Sequence, residues 1–313
     1  MADNNTQLEI RGQDYSKIIL PLARHEKSML FSRVFVKSDF TGKSFYQDQI
    51  GTWEMKEKSG TNVTTPKNDP NLSRTRIDIK TYQDARIFDR SVQLQTFSDP
   101  LSVASISLQS AVGVQIDKVI YEALGATALR GETGSKSVAF PTSQTIAADY
   151  ETTGTKTGLT VAKVRHASAM LGNAHVPNYD RTFVASEIGK EQLLGNTEVA
   201  SSDFNTVKAL ASGDIDSFCT FKFVFLSSDM ITVDGDGIAD YYAFHKTGVC
   251  FGMLEDLFMR VTERDDLSFS KQVYYEISCG AARLEEAKVV KVKCNENAVV
   301  TAQTNTTAAT KEN

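Results

Sequence analysis

Residues 131–137 read GETGSKS and carry residue types that could bind a phosphate group. The segment approximates the phosphate-binding pattern GxxxxGK[ST], in which backbone N–H groups wrap the phosphates. Ser135 stands where that pattern needs a glycine immediately before the lysine, and the segment follows a predicted helix instead of a strand. We therefore interpret it as a loop that ends the helix.

Residues 234–240 read DGDGIAD and have the spacing of carboxylates and glycines that is typical of calcium loops. A complete loop would need an oxygen ligand at Ile238 and a glutamate where Lys246 stands. A glycine-rich hairpin turn is therefore the favoured interpretation. A weak divalent-cation site built from Asp234, Asp236 and Asp240 is the alternative.

The cysteines and histidines are spaced too widely for the usual metal or catalytic motifs. The sequence has no CxxC pair, no HExxH pair and no GxSxG elbow. The cysteines are expected to be buried free thiols; they are Cys219, Cys250, Cys279 and Cys294. We predict no catalytic residue, no metal and no cofactor, and therefore a protein that is not an enzyme.

Composition and charge narrow the class of protein further. The chain has 313 residues, of which 41% are hydrophobic, which is enough for a substantial core. Its net charge of −5 argues against nucleic-acid binding through a basic surface. The sequence has no run of 18 apolar residues, and its first residues lack the pattern of a secretory signal. We expect a protein that folds in a cytoplasm and does not bind a membrane.

The longest predicted element is a helix over residues 99–129, which would extend roughly 45 Å at ~1.5 Å per residue. Asp99 can accept hydrogen bonds from the first turn, and Pro100 loses no hydrogen bond at the next position. Gly131 and Gly134 are expected to end the helix. Its apolar stripe recurs at spacings of three and four and comprises Leu101, Ala104, Leu108, Val112, Ile116, Val119 and Ala123.

Residues 41–94 are charged, rich in turn formers and predicted to form a long two-stranded loop. Alternation over residues 74–82 places Ile77 and Ile79 on one face, and a second strand is predicted at 85–94. A two-stranded ribbon alone is marginally stable in water, so a partner surface is expected to cover it.

The rest of the chain predicts a mixed domain. Helices are predicted at 159–171, with Thr160 as the N-cap, and at 187–194. The predicted strands are 181–186, 219–226, 240–245, 248–254, 272–278 and 289–293. Residues from 295 onward have few bulky side chains and are expected to be a mobile tail.

The order of these parts resembles the major capsid proteins of tailed double-stranded DNA bacteriophages, which have the Hong Kong 97-type fold, and among them the podovirus-like coat proteins. TGKSF at 41–45, followed by Ile50 and Gly51, resembles the start of the family's extended loop. Further similar segments are 84–99 and 115–126 around the spine helix, 175–186 leading into the axial domain, and 277–294 as the return strand. Residues 214–221 depart from the family pattern, which more often has a glycine and a basic residue there.

The resemblance implies an α+β fold with six parts. These are an N-terminal arm (1–40), the extended loop (41–94), a peripheral domain (95–178) with the spine helix (99–129), an axial domain (179–270), return strands (271–294) and the C-terminal tail (295–313). The implied function is self-assembly into the hexamers and pentamers of an icosahedral head that encloses double-stranded DNA.

The resemblance also implies partners and a location. The chain itself is the main partner, with a scaffolding protein, a portal and a decoration protein as further partners. Packaged DNA would be contacted without sequence-specific binding. The implied location is the virion capsid, after assembly in the cytoplasm of the bacterial host. A virion decoration or tail protein of low oligomeric state is the alternative function, and mass in solution separates the two.

The strands and tip of the extended loop are the expected inter-subunit contacts. The candidates are Ile77, Ile79, Lys56, Lys58, Arg74, Arg76 and Phe88. Replacing either isoleucine by aspartate is expected to block assembly more than it unfolds the subunit, because a neighbour should cover that face. Some members of the family crosslink subunits through lysine–asparagine bonds, but the lysines of the loop tip are expected to be solvated or salt-bridged.

Overall fold

The computed structural model describes residues 28–51, 55, 57–61, 63, 72–88, 100–152, 154–195 and 217–298; the side chains of residues 88, 100–109 and 255–257 are not described. The predicted cap Asp99, residues 1–27 of the predicted arm, residues 89–94 of the second predicted strand and residues 299–313 of the predicted tail lie outside these ranges. The chain divides into two compact units. The smaller unit draws on Thr81–Ile116 and Glu255–Ser278, and the larger unit on Met29–Lys80, Asp117–Leu254 and the residues from Cys279 onward.

The described elements comprise three α-helices and fourteen strands. The helices are α1 (Pro100–Gly125), α2 (Val161–Asn173) and α3 (Glu187–Leu194). The strands are β1 (Phe35–Lys37), β2 (Ser44–Ile50), β3 (Leu72–Asp78), β4 (Lys80–Phe88), β5 (Ala128–Arg130), β6 (Lys136–Val138), β7 (Thr145–Ile146), β8 (Arg181–Ser186), β9 (Ser217–Phe218), β10 (Phe221–Leu226), β11 (Ile238–His245), β12 (Val249–Arg264), β13 (Ser270–Arg283) and β14 (Val289–Asn295). Short 3₁₀ turns join several of them.

The core of the larger unit is a six-stranded sheet with the order β7-β14-β11-β8-β10-β9. Strand β8 lies near its centre, parallel to β10 and antiparallel to β11, and all six of its residues are buried. A strand that is covered on both faces reads as a continuous apolar run, and FVA at 183–185 is such a run. The predicted bounds of β8 and α3 match the observed ones.

Helix α2 has the predicted N-cap, although it begins at Val161 instead of residue 159. The Thr160 side chain accepts a hydrogen bond from the Lys163 backbone N–H at 3.4 Å, so Thr160 is the N-cap as expected. The helix ends two residues later than predicted, at Asn173. The four cysteines are free thiols, as predicted; Cys250, Cys279 and Cys294 are buried and Cys219 is partly exposed.

The prediction of a helix over 99–129 is wrong at its C-terminal end. Helix α1 ends at Gly125, because Ala128–Arg130 leaves the helix and pairs with β3 as strand β5. The last carbonyls are satisfied by a side chain, since the Arg283 guanidinium donates to the carbonyls of Leu124 (3.0 Å) and Ala126 (2.8 Å). The stripe residues Ile116, Val119 and Ala123 are buried, and their neighbours Ile120 and Leu124 have no exposed surface.

The extended loop is built on a second sheet of the larger unit, with the order β2-β3-β5-β6. Strands β2 and β3 are antiparallel, with Ser44 opposite Asp78 and Ile50 opposite Leu72. The strand predicted at 74–82 is divided at Ile79, whose backbone N–H donates to the Lys43 carbonyl. After this point β4 leaves the sheet and lies beside β13 in a third sheet, β1-β12-β13-β4.

In the smaller unit, parts of β12 and β13 form a long hairpin that the sequence predicts only in part. Strand β12 continues to Arg264, ten residues beyond its predicted end, and β13 begins at Ser270. The Tyr274 hydroxyl donates to Gln83 on β4 at 2.8 Å, and the Tyr275 hydroxyl donates to Asp84 at 2.8 Å. Side-chain hydrogen bonds therefore attach the hairpin to β4.

Candidate functional site

The glycine-rich segment 131–137 is a turn between two strands. It joins β5 to β6, whereas a phosphate-binding loop joins a strand to a helix. Gly131 and Gly134 both have positive φ, 95° and 65°, which glycine adopts without strain. Gly134 also lies against Arg76, where a Cβ atom would come within 2.6 Å of the Arg76 Cβ. The interpretation as a helix-ending loop is therefore wrong, because the helix has already ended at Gly125.

Residues 234–240 form a tight hairpin turn into β11. The Asp234 N–H donates to the Ile238 carbonyl and the Gly237 N–H donates to the Asp234 carbonyl. Asp236 binds Lys156 at 2.8 Å, and this ammonium group lowers the pKa of the Asp236 carboxyl. Asp240 binds Lys291 at 2.9 Å. Two of the three carboxylates thus face different lysines, and the described residues contain no cluster of three potential metal ligands.

Ile77 and Ile79 are covered by their own chain. Ile77 has no exposed surface and packs in a cluster with Phe45, Cys250 and Leu284, while Ile79 packs against the edge of the same cluster. The expectation that a neighbouring subunit covers Ile77 is therefore wrong. The reason is that the face of β3 that carries Ile77 packs on Phe45, Cys250 and Leu284 of the same unit.

The charged candidates of the extended loop are paired on its exposed surface. Arg74 binds Asp48 through two hydrogen bonds of 2.6 and 2.9 Å, and its guanidinium lies 5.6 Å from the centre of the Tyr46 ring. Arg76 binds Asp78 at 3.0 Å. Each carboxylate raises the pKa of its arginine, which further stabilises a guanidinium that is already charged.

The remaining candidates are only partly covered by the structure. Lys58 is exposed, whereas Lys56 and the side chain of Phe88 lie outside the described residues. Inter-subunit contacts through Arg74, Arg76 and Lys58 stay a prediction.

Sequence reasoning missed the most exposed apolar side chains of this loop. Ile50 and Leu72 lie directly opposite each other at the outer end of the β2–β3 hairpin and are 69% and 71% exposed. Met55 and Val63, from the segment between these strands, are also exposed. We call Ile50, Met55, Val63 and Leu72 the loop-tip residues. A sequence signal for these residues exists. Ile50 is the last apolar residue before the turn-forming segment and Leu72 the first strand residue after it, so both could have been expected at the loop tip.

A buried lysine connects several parts of the larger unit, which carries this loop. Lys163 of α2 is fully buried, and its ammonium group donates to the carbonyls of Ala148, Thr157 and Gly158 at 2.9 Å and of Lys293 at 3.1 Å. Burial lowers the pKa of this lysine. One side chain thus connects α2, the segment before it and β14.

Asp117 fixes the N-terminal segment of the larger unit. It lies within α1, in the segment that resembles the family's spine helix, and is buried. Its carboxylate oxygens accept hydrogen bonds from the backbone N–H groups of Met29 (3.0 Å) and Leu30 (2.9 Å). The Asp117 carboxylate therefore attaches the first residues of the larger unit, Met29 and Leu30, to helix α1.

The exposed side chains of the β2–β3 hairpin make it a candidate binding surface. The structure brings together apolar and paired charged side chains on an extended hairpin. In the described residues no three potential metal ligands come together. Nor does any helix of the described ranges have the length and apolar character that crossing a bilayer requires.

Comparison with protein families gives a match to the family described as "Phage capsid protein" over residues 11–296. Among solved structures, the capsid of the cyanophage P-SCSP1u matches with a TM-score of 0.70 and 16% identity, covering 91% of this chain and 93% of that chain. The capsid of Ralstonia phage GP4 matches with a TM-score of 0.70 and 11% identity, covering 91% and 95%. The capsid of Helicobacter pylori bacteriophage KHP30 matches with a TM-score of 0.67 and 12% identity, covering 95% and 98%.

Comparison with curated protein sequences gives no significant match. The structural matches cover nearly the full length of each chain, so they show a common fold. The predicted α+β fold of the Hong Kong 97 type is confirmed.

Proposed function

We propose, from the premise that this chain belongs to the phage capsid protein family, that its copies assemble as hexamers and pentamers into an icosahedral head around double-stranded DNA. The protein is a structural major capsid protein of a bacteriophage virion. The manner of assembly, the enclosure of DNA and the partners are further parts of the proposal.

The exposed loop-tip residues carry the proposal. Ile50 and Leu72 stand at the end of a two-stranded extension, where the larger unit leaves them exposed. Burying an apolar side chain of this size contributes about 1.5–3 kcal/mol, so covering both by another subunit would favour association appreciably. Arg74 and Asp48 lie two residues from Leu72 and Ile50, on the side of the hairpin base. They supply charged groups at the rim of such a contact.

The layout of the subunit in this proposal follows the predicted parts. The segment that begins at Met29 is anchored by Asp117, and the extended loop reaches a neighbour. The strands around β8 form the axial domain around the capsomer axis. The boundaries 1–40, 41–94, 95–178, 179–270, 271–294 and 295–313 are part of the proposal.

The proposal includes partners and a place of assembly. We place assembly in the cytoplasm of the bacterial host, with a scaffolding protein, a portal and a decoration protein as partners. The net charge of −5 suits an interior that does not hold the packaged DNA tightly. No sequence-specific DNA contact and no membrane contact are proposed.

The full chain, expressed alone and together with the scaffolding protein of its phage, tests the proposal. Light scattering and electron microscopy are expected to show closed shells built of hexamers and pentamers. A monodisperse monomer or small oligomer that never forms shells in either case would contradict it and favour a decoration or tail protein.

A further inference from the structure

Glu286 lies between two arginines that come from different parts of the larger unit. It is the first residue of the 3₁₀ turn Glu286–Lys288, which joins β13 to β14. Its Oε2 atom lies 2.7 Å from Arg130 Nη2, and its Oε1 atom lies 3.7 Å from Arg283 Nε. The Arg283 side chain has no exposed surface, and the other two side chains are each 21% exposed. We call Arg130, Arg283 and Glu286 the arginine–glutamate cluster.

The Arg130 guanidinium attaches the sheet of the extended loop to this turn. Arg130 is the last residue of β5, and it lies opposite Thr75 of β3. Its Nη2 also donates to the Leu284 carbonyl at 2.6 Å. Strand β3 pairs with β5 on one edge and with β2 on the other, so the base of the extended loop is coupled to the position of Arg130.

The Arg283 guanidinium attaches the same carboxylate to the end of helix α1. Arg283 is the last residue of β13, and it donates to the carbonyls of Leu124 and Ala126 and, at 3.4 Å, to the Val138 carbonyl of β6. Its guanidinium also lies 4.8 Å from the centre of the Phe140 ring. The arginine–glutamate cluster therefore joins the loop sheet, the end of α1 and the turn before β14.

The charged groups of the cluster are only partly satisfied, so stability alone does not explain them. Burial lowers the pKa of Arg283; the Glu286 carboxylate opposes this effect, and the nearby Arg130 charge adds to it. Among the described residues, no hydrogen-bond partner reaches the buried atoms Arg130 Nε, Arg283 Nε and Glu286 Oε1. Apolar side chains often replace buried ionic groups of this kind without loss of stability, whereas the ionic groups can specify one arrangement of the elements that carry them.

We infer that Glu286 is a positioning residue that fixes the direction in which the extended loop leaves the larger unit. The inference rests on the proposed function, in which this loop reaches a neighbouring subunit. Leu72 at the outer end of β3 lies three residues from Thr75, which is about 10 Å along the strand. A tilt of the sheet at Arg130 therefore displaces the loop-tip residues and changes the angle between neighbours. Because this angle sets the curvature of a closed shell, Glu286 determines whether the shells have one diameter.

A neutral amide at position 286 removes the charge that both arginines face. The matched control is Glu285→Gln, because Glu285 is the adjacent residue and binds Lys288 at 2.8 Å with 42% of its side chain exposed. We expect the Tm of the unassembled subunit to fall by about 3–8 °C in Glu286→Gln and by less than about 2 °C in Glu285→Gln. Electron microscopy should show one shell diameter for the wild type and Glu285→Gln, and several diameters or open sheets for Glu286→Gln.

A double variant separates positioning from stability. Arg130→Met together with Glu286→Gln removes one positive and one negative charge, and Arg283 keeps its three backbone carbonyls. The Tm should recover at least half of the fall seen in Glu286→Gln, because one guanidinium no longer lacks its carboxylate. The shells should nevertheless have several diameters, since no ion pair attaches β5 to the turn. If Glu286→Gln does not fold, the shells of the double variant decide.

The outcomes distinguish this inference from the proposed function. Shells of the wild-type diameter from the Glu286 variants would overturn the inference, even where the Tm has fallen, and the proposed function would stand. Failure of the double variant to fold would also overturn it, because the cluster would then hold the subunit together instead of directing the loop. If wild-type protein never forms shells, the proposed function fails first.

Discussion

At the scale of single residues, Lys163 connects parts of the larger unit that are distant in sequence, and no sequence motif indicates this role. Its ammonium group lies within hydrogen-bond distance of four backbone carbonyls, three in the segment before α2 and one on β14. Replacing it by methionine keeps an unbranched side chain that is one atom shorter but leaves these carbonyls without their charged donor. We expect Lys163→Met to lower the free energy of unfolding by about 3 kcal/mol, as measured by denaturant titration of the unassembled subunit.

A matched control for this variant is Lys222→Met. Lys222 is exposed on β10, so its replacement should change the free energy of unfolding by no more than about 0.5 kcal/mol. Equal changes in the free energy of unfolding for the two variants would show that the hydrogen bonds of Lys163 to backbone carbonyls do not stabilise the unit.

His245 makes the stability of the larger unit depend on pH. The ring is buried, and its Nδ1 accepts the backbone N–H of Thr247 at 3.2 Å, which requires an unprotonated Nδ1. Burial, with further contributions from Lys288 and Arg181, lowers the pKa of His245, and Asp180 opposes them. The folded chain therefore binds a proton less readily than the unfolded chain, whose histidines titrate near pH 6.5.

The sign of the pH effect follows from this difference. As the pH falls below about 6.5, the unfolded chain takes up a proton that the folded chain resists, so the free energy of unfolding should fall. The slope contributed by His245 is at most about 1.4 kcal/mol per pH unit and ends near its lowered pKa. His245→Asn keeps a hydrogen-bond acceptor near the Nδ1 position and should flatten the Tm profile between pH 5 and pH 7. An unchanged profile would mean that His245 is not the group that titrates.

Some residue-scale features could be predicted from the sequence and others could not. The Thr160 cap and the free cysteines depend on local sequence and on spacing, and both were predictable. The burial of Lys163 could not be predicted, because its partners are carbonyls as far away as Lys293. The burial of Ile77 in its own unit could not be predicted either, since alternation does not tell which face of a strand the rest of the unit covers.

At the scale of elements, the end of helix α1 is set by close packing against the central sheet. Gly125 is its last residue, and a Cβ atom there would lie 2.2 Å from the Tyr242 hydroxyl oxygen. Tyr242 cannot easily move, because its ring packs on Tyr121 with centroids 5.3 Å apart. The absence of a side chain at Gly125 therefore permits the helix to approach β11.

Opposite signs are expected for two glycine-to-alanine substitutions in helices. Gly125→Ala should destabilise the larger unit by about 1–3 kcal/mol, because the methyl group overlaps Tyr242. Gly172→Ala in α2 meets no atom within 4 Å and should stabilise by about 0.4–1 kcal/mol, because alanine loses less entropy in a helix. Thermal unfolding of both variants measures the difference. Stabilisation by Gly125→Ala would show that the contact with Tyr242 relaxes freely.

The elements were predictable where short-range sequence determines them. Strand β8 is a short run with apolar residues at its centre, and it ends at Ser186, whose side chain caps helix α3, so local sequence marks the junction and the predicted limits match. The end of α1 was not predictable, because residues 126–129 continue a helical pattern and only pairing with β3 and β6 makes residues 128–130 a strand. The β12–β13 hairpin was predicted too short, because the exposed segment 258–264 mixes apolar and charged residues without alternation.

At the scale of the whole molecule, the order of the parts was more informative than any one of them. A charged loop with two strands, a long helix and a mixed domain are each common, but this order resembled one fold, and the structural matches confirm it. The surfaces that join subunits could not be assigned in the same way. They depend on which apolar side chains remain exposed after each unit has folded.

Two aspartate substitutions on the same strand separate folding from assembly. Ile77 and Leu72 are both on β3, but Ile77 is fully buried in its own unit and Leu72 is 71% exposed. Ile77→Asp should lower the free energy of unfolding by about 4 kcal/mol or more, because the carboxylate has no partner in that cluster. Assembly should then fail only because little folded subunit remains, contrary to the expectation from sequence.

Leu72→Asp should instead leave the subunit folded and prevent its association. An exposed substitution changes the free energy of unfolding by about 0.5 kcal/mol or less. A carboxylate at the loop tip would have to lose its hydration when a neighbour covers it, so the concentration needed for assembly should rise tenfold or more. Circular dichroism of the unassembled subunits and light scattering during assembly measure the two effects separately. If Leu72→Asp assembles like the wild type while Ile77→Asp remains folded and fails to assemble, the contact lies on the opposite face of the loop from the one that we propose.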